Sequence, residues 1–125
     1  MVVDDQIRLV LPADASYGRV ARITASSLAL RLGLSFVRID DLRLAIDEAL
    51  VLLLASQPPD GTITVWFTVE ADGLAVDLHG VDHAPGITSG AATRRFEDLV
   101  IPLVDVAELH DGGRTVHLLT RFPTT

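Results

Sequence analysis

In the stretch "DDLRLAIDEALVLLLAS", residues 40–56, Glu48 is a carboxylate placed in mid-helix, where such a group can serve as a general base. The residue one helical turn on shares its face, and that residue is Leu52, which offers no oxygen to a hard cation. A plain alternative for Glu48 is a helix-face acid beside Arg43, Leu44 and Asp47. His79, Asp82 and His83 cluster in "HGVDH", but they fall where a strand passes into a loop, so polar loop residues describe them better than metal ligands. Arg19 and Arg22 stand i,i+3 and would present one basic strip on a helix. No Ser-His-Asp order or nucleophile elbow is present, and the serines of "TASSLA" read as small packing residues inside a helix.

Composition removes further chemistries. The 125 residues contain no cysteine, so neither disulfides nor thiolate metal sites are available. All ten basic residues are arginine, which excludes a Schiff-base lysine and the lysine of a Walker-type phosphate loop. A net charge of −7 and the lack of a basic stripe argue against nucleic acid as a partner. The hydrophobic content of 49% is enough for a single core. No apolar run reaches the roughly 18–20 residues of a membrane span, and the N-terminus carries acids where a signal peptide needs basic residues. The expectation is a cytoplasmic protein with no membrane association.

Residues 1–125 read as one domain, without repeats or linkers. "QIRLVLP" alternates Ile7, Leu9 and Leu11 inward as a first strand. Asp14 or Ser16 caps a helix through "YGRVARITASSLALRLGL", with Val20, Ile23, Ser27 and Leu30 as its core stripe and Gly33 just past its end. Ser35 caps a second helix that buries Ile39, Leu42, Ile46, Ala49, Leu50 and Leu53. Strands "TITVWFTVE" and "LAVDLHG" form a hairpin whose "ADG" turn would place Gly73 at positive φ. Trp66 and His79 face outward from it, with cover from the helical layer expected over the tryptophan. Residues 81–93 read as a loop, a short helix follows around 94–103, and "VDVAEL", "HDGG" and "RTVHLLTRF" close the chain as a second hairpin. This order gives an α/β (α+β) two-layer sandwich. Its sheet is mixed but mostly antiparallel, of four to five strands, with about three helices on one face.

The order and the residues together resemble the GHKL (Bergerat-fold, HATPase_c) ATPases, in particular the anti-sigma-factor serine kinases of the RsbW/SpoIIAB type. Four stretches carry the likeness: "IRLVLPADASYGRVARITASSLA" with its aromatic-x-Arg-Val start at Tyr17, Arg19 and Val20; "DDLRLAIDEAL"; "GTITVWFTVEADGLAVDLHG"; and "LVDVAELHDGGRTVHLLTRF". The resemblance implies three nucleotide-binding boxes. In the first, a Glu activates the attacking hydroxyl and an Asn four residues on holds Mg²⁺; here Glu48 is present but Leu52 replaces the Asn. In the second, an Asp-x-Gly-x-Gly turn binds adenine; here the Asp position falls on Gly80, with Asp82 and Gly86 displaced. In the third, a Gly-x-Gly-Leu turn cradles phosphate; here "RRFEDLVIPLVD" has no glycine, and Arg94 and Arg95 are the groups left to contact phosphate.

Each loss removes roughly 1–3 kcal/mol of binding, by analogy with lost buried hydrogen bonds. The resemblance then implies a regulator that binds a SigB/SigF-type sigma factor and/or its STAS-domain anti-anti-sigma antagonist through Tyr17, Arg19 and Arg22. It implies a homodimer, no catalytic residue in use, no metal and no cofactor. In this reading Leu52 and Val51, with Val81 and Ile87 of the loop, pack where adenine would lie. Two alternatives stand beside it. One is an active serine/threonine kinase that uses Glu48 and Asp82 with ATP and Mg²⁺. The other is a dimerisation partner of an ATP-competent paralogue.

Overall fold

A computed structural model describes residues 5–80 and 90–123. Strand β1 (Gln6–Pro12) leads through a 3-10 turn, Ala15–Tyr17, into α1 (Gly18–Arg31) and α2 (Phe36–Leu54). The hairpin β2 (Thr62–Val69) and β3 (Gly73–Gly80) follows, then α3 (Gly90–Val100), a 3-10 turn at Ile101–Leu103, β4 (Val106–His110) and β5 (Thr115–Arg121). The sheet has the order β1-β2-β3-β5-β4, and all four pairings are antiparallel. The helices cover one face, giving the expected two-layer α+β sandwich. Among the described residues no helix is long and apolar enough to cross a membrane.

Alternation fixes the sheet's two faces. Ile63, Val65 and Phe67 of β2 and Leu74, Val76 and Leu78 of β3 are buried toward the helices. Across the other face, the register aligns Arg8, Trp66, Asp77, His117 and Glu108 in one row over all five strands. Trp66 is half-buried there, on the side away from the helices, so the helical layer does not cover it. β1 is an edge strand, and its inward residues grade from exposed Ile7 to buried Leu11.

α2 is the central beam. Ser35 caps it by accepting from Arg38 N at 3.2 Å, and all six residues of the expected apolar face are buried, joined by Ala45 and Leu52. α1 corrects its expected orientation. Its buried stripe is Gly18, Ala21, Ala25 and Ala29, while Val20, Ile23 and Leu30 are 42%, 53% and 60% exposed. The physical reason is proximity: a stripe of glycine and alanine lets α1 lie close on α2, and a larger residue on that face would force them apart. The serines of "TASSLA" do not pack in the core either. Ser26 bonds back to the Arg22 carbonyl at 2.8 Å, and Ser27 is exposed.

Four glycines and a loop also differ from, or refine, the reading. Gly33 ends α1 at φ 84°, as its place past the helix demands. Gly73 does not take a positive φ; it opens β3 where a Cβ would overlap the Thr120 carbonyl of the neighbouring strand, so close backbone approach is what selects glycine. The positive-φ turn lies in the second hairpin, at Asp111, Gly112 and Gly113. Residues 90–93, expected in the loop, form the first turn of α3, for which Ala91 and Ala92 are good helix formers. Phe96 and Val100, four residues apart, are its buried anchors.

Candidate functional site

Glu48 projects from the side of α2 that meets α3, with its side chain 22% exposed. Arg95 of α3 donates to it through Nη1 at 2.6 Å and Nη2 at 3.5 Å, one contact to each carboxylate oxygen. A general base needs a lone pair aimed at open space. Here both oxygens face one guanidinium, and the pair ties α2 to α3 as a charge-assisted fork. Arg95 is therefore engaged by the carboxylate instead of standing free for phosphate, while Arg94 is exposed.

One turn on, Leu52 is 4% exposed and belongs to the core cluster that includes Phe96 and Val100. The position a metal-binding amide would take is thus held by a buried apolar side chain of the core. Val51, expected beside it, is 55% exposed on the outer side of α2 and takes no part in that packing. A helix turns 100° per residue, so Leu52 and Val51 cannot face the same way.

Gly80 is the last residue of β3, paired with Ile63 and donating its N–H to the Arg114 carbonyl at 2.9 Å. A Cβ built on Gly80 would overlap the side-chain nitrogen of Gln57, so the amide of Gln57 occupies the space a larger residue would need. Gln57 lies just beyond α2, in "SQPPDG", and sequence reasoning treated that segment as a helix breaker only. Its signal was a lone amide directly after the apolar end of α2. Asp82 and Gly86, the displaced box residues, and Val81, His83 and Ile87 lie outside the described residues. Of the "HGVDH" cluster only His79 is described at the side-chain level among those three ligand candidates, and its Nδ1 meets Thr115 Oγ1 at 2.8 Å. Among the described residues no group of three or more histidines and carboxylates is placed to hold a metal.

The α1 end of the molecule is built differently from its sequence pattern. Asp14 accepts from Ser16 N at 2.9 Å and closes the 3-10 turn that presents Tyr17, 42% exposed. That backbone hydrogen bond, with a second from the Ser16 hydroxyl, holds the Asp14 carboxyl below the usual range. Arg19 is exposed on the next turn. Arg22 turns the other way, against α2, where Nη1 meets Asp47 Oδ1 at 2.7 Å. The two arginines therefore do not form one strip: Arg22 is neutralised at the α1–α2 seam, and Arg19 presents its charge to solvent.

The far end of the domain carries a separate polar lock. Asp105, before β4, accepts from the Arg38 guanidinium and from Arg121 N at 2.6 Å. Partial burial pushes its carboxyl up, but the Arg121 backbone bond and the Arg38 bond and charge outweigh this and hold it below the usual range.

No protein-family model matches the chain. It is 37% identical over 75 residues to the serine-protein kinase RsbW of Listeria monocytogenes, an overlap covering 58% of this chain and 48% of that protein. The chain thus spans about half the length of these Listeria relatives. RsbW of Oceanobacillus iheyensis is 33% identical over 75 residues, again 58% of this chain. RsbW of Bacillus cereus is 31% identical over 142 aligned positions, covering 94% of this chain and 85% of that protein. With near-complete overlap in both directions at this identity, the chain belongs to the RsbW serine-protein kinase family.

Proposed function

We propose that this chain is an anti-sigma-type regulator of the RsbW family that acts by binding its partners and has lost nucleotide chemistry. Its partners are a SigB/SigF-type sigma factor and/or a STAS-domain antagonist, held by the start of α1 around Tyr17 and Arg19. Arg22 supports that surface from the α1–α2 seam. A cytoplasmic homodimer is the working form. The observation that carries the reading is the Glu48–Arg95 fork, which takes both oxygens of the one carboxylate suited to be the base. Leu52 in the core and Gly80 beneath Gln57 support it. Control is then steric: the bound regulator covers sigma surface, and competition between partners releases it.

The test is co-purification of the chain with a SigB/SigF-type sigma factor and a STAS protein from the same genome, with and without Mg-ATP. Capture independent of nucleotide, and lost in Arg19→Glu, is the expected result. Capture that requires Mg-ATP, or phosphate transfer to a STAS serine, would overturn the reading. One observation favours an active kinase instead: the Arg95 side chain is 58% exposed and can leave Glu48 at modest cost.

A further inference from the structure

We propose that the cleft between the start of α2 and the end of β5 binds a small organic carboxylate, its apolar body against Leu34, Phe122 and Pro123 and its charge on Arg121 and Arg38. The site goes beyond the partner-binding reading and does not depend on it.

The cleft measures about 480 Å³, within the range of pockets that hold small molecules. It lies at the end of the domain away from the nucleotide-box positions. Arg121 pairs with Gly73 at the start of β3, about 23 Å along the strand from Gly80 at its end. Arg38, in the first turn of α2, is about 21 Å along the helix from Leu52. A ligand here occupies a surface separate from the one around Glu48 and Leu52.

The walls are held by the fold itself. Leu34 N donates to the Ala29 carbonyl at 3.0 Å, Phe122 N to the Asp72 carbonyl at 2.8 Å and Asp105 N to the Leu119 carbonyl at 2.9 Å. Asp105 joins the two sides, accepting from the Arg38 guanidinium and from Arg121 N at 2.6 Å. Leu34 is buried and Phe122 half-buried, so one side of the cleft is apolar.

The charged lining is two guanidinium groups, Arg38 and Arg121, against the one carboxylate of Asp105, a positive excess in a chain of net charge −7. Asp105 is engaged by Arg38 and a backbone N–H, which leaves the Arg121 side chain over. Among the described residues that guanidinium has only a loose contact, Nε to Oδ2 of exposed Asp72 at 3.8 Å. A planar guanidinium with free N–H edges beside an apolar wall is matched by a planar carboxylate on an apolar body.

The probe is 2-naphthylacetate, with neutral 2-naphthylacetamide as the control, each titrated into the full chain and followed by amide NMR. Saturable shifts at Leu34, Ser35, Arg121 and Phe122 are expected, with the acetate bound about fivefold or more tightly than the acetamide. Arg121→Gln should abolish that preference and leave acetamide binding unchanged. The substitution keeps the backbone N–H that Asp105 accepts from, and a thermal melt checks that the variant folds. Phe122→Ala should weaken both probes about fivefold or more. No saturable shift by about 1 mM, equal affinity for the two probes, or a preference that survives Arg121→Gln overturns the proposal. The bound acetate should persist in millimolar Mg-ATP whether or not nucleotide binds near Glu48, so this site and the loss of nucleotide chemistry fail separately. Displacement by Mg-ATP would put the probe in the nucleotide site and overturn the proposal as well.

Discussion

The Glu48–Arg95 pair makes a quantitative demand on stability. Two unit charges about 4 Å apart attract by about 1 kcal/mol in water and about 4 kcal/mol at the effective dielectric of a protein surface. The Arg95 side chain is 58% exposed, which pulls the value toward the lower figure, and Glu48 at 22% pulls it up. Ordering a long arginine offsets part of the gain. A double-mutant cycle with Glu48→Gln and Arg95→Ala should therefore return a coupling of about 1 kcal/mol. For a chain of this size that equals roughly 3–5 °C in melting temperature. Urea unfolding, with the slope checked for constancy, measures the cycle directly, and the coupling should shrink in about 1 M salt. A coupling below about 0.3 kcal/mol, within the additivity expected of independent sites, would mean the carboxylate stands free in solution. The reasoning that Glu48 is a tie and not a base would then fail.

Other perturbations test the packing that surrounds the site. Ala25→Leu should destabilise by about 1–3 kcal/mol, because that residue is fully buried on the α1–α2 seam, whereas Ile23→Ala on the exposed face of α1 should cost under about 0.5 kcal/mol; equal effects in denaturant titrations would place α1 the other way round. Gly73→Ala should cost at least about 2 kcal/mol from its overlap with the Thr120 carbonyl, read as a drop in the urea midpoint. Asp105 has a carboxyl lowered in the folded state, so its contribution is present above its unfolded pKa near 4 and is lost as pH falls through the folded value. Asp105→Asn should therefore destabilise at pH 7 by about 1–2 kcal/mol, and the gap to the parent should narrow as pH falls below the ordinary carboxylate value of about 4; a gap unchanged at low pH would show that packing, not charge, is lost.

Helix and strand order was readable because each element carries its own local rule. Ser35 before α2, the alternation of β2 and β3, and Gly33 after α1 each follow from backbone chemistry, and the fold places them accordingly. The α1 face was misread because periodicity reports where large apolar residues recur, not which face is buried. In α1 Val20, Ile23 and Leu30 face out, and close approach to α2 needs the small residues. Gly73 was misassigned for a related reason: a glycine after "AD" satisfies a turn rule, but here a strand neighbour excludes the side chain. At the candidate site, Glu48 was legible as a motif residue kept, and Leu52 and Gly80 as departures from it. Arg95 reaching Glu48 and Gln57 covering Gly80 depend on contacts 47 and 23 residues apart in sequence, which no local pattern encodes.

The most direct test of the central claim is isothermal titration of the purified chain with Mg-ATP and Mg-ADP, with thermal shift alongside. Neither saturable heat nor stabilisation is expected up to millimolar nucleotide. A dissociation constant below about 100 µM, worth roughly −5.5 kcal/mol, would contradict it and restore Glu48 as a base in a working site.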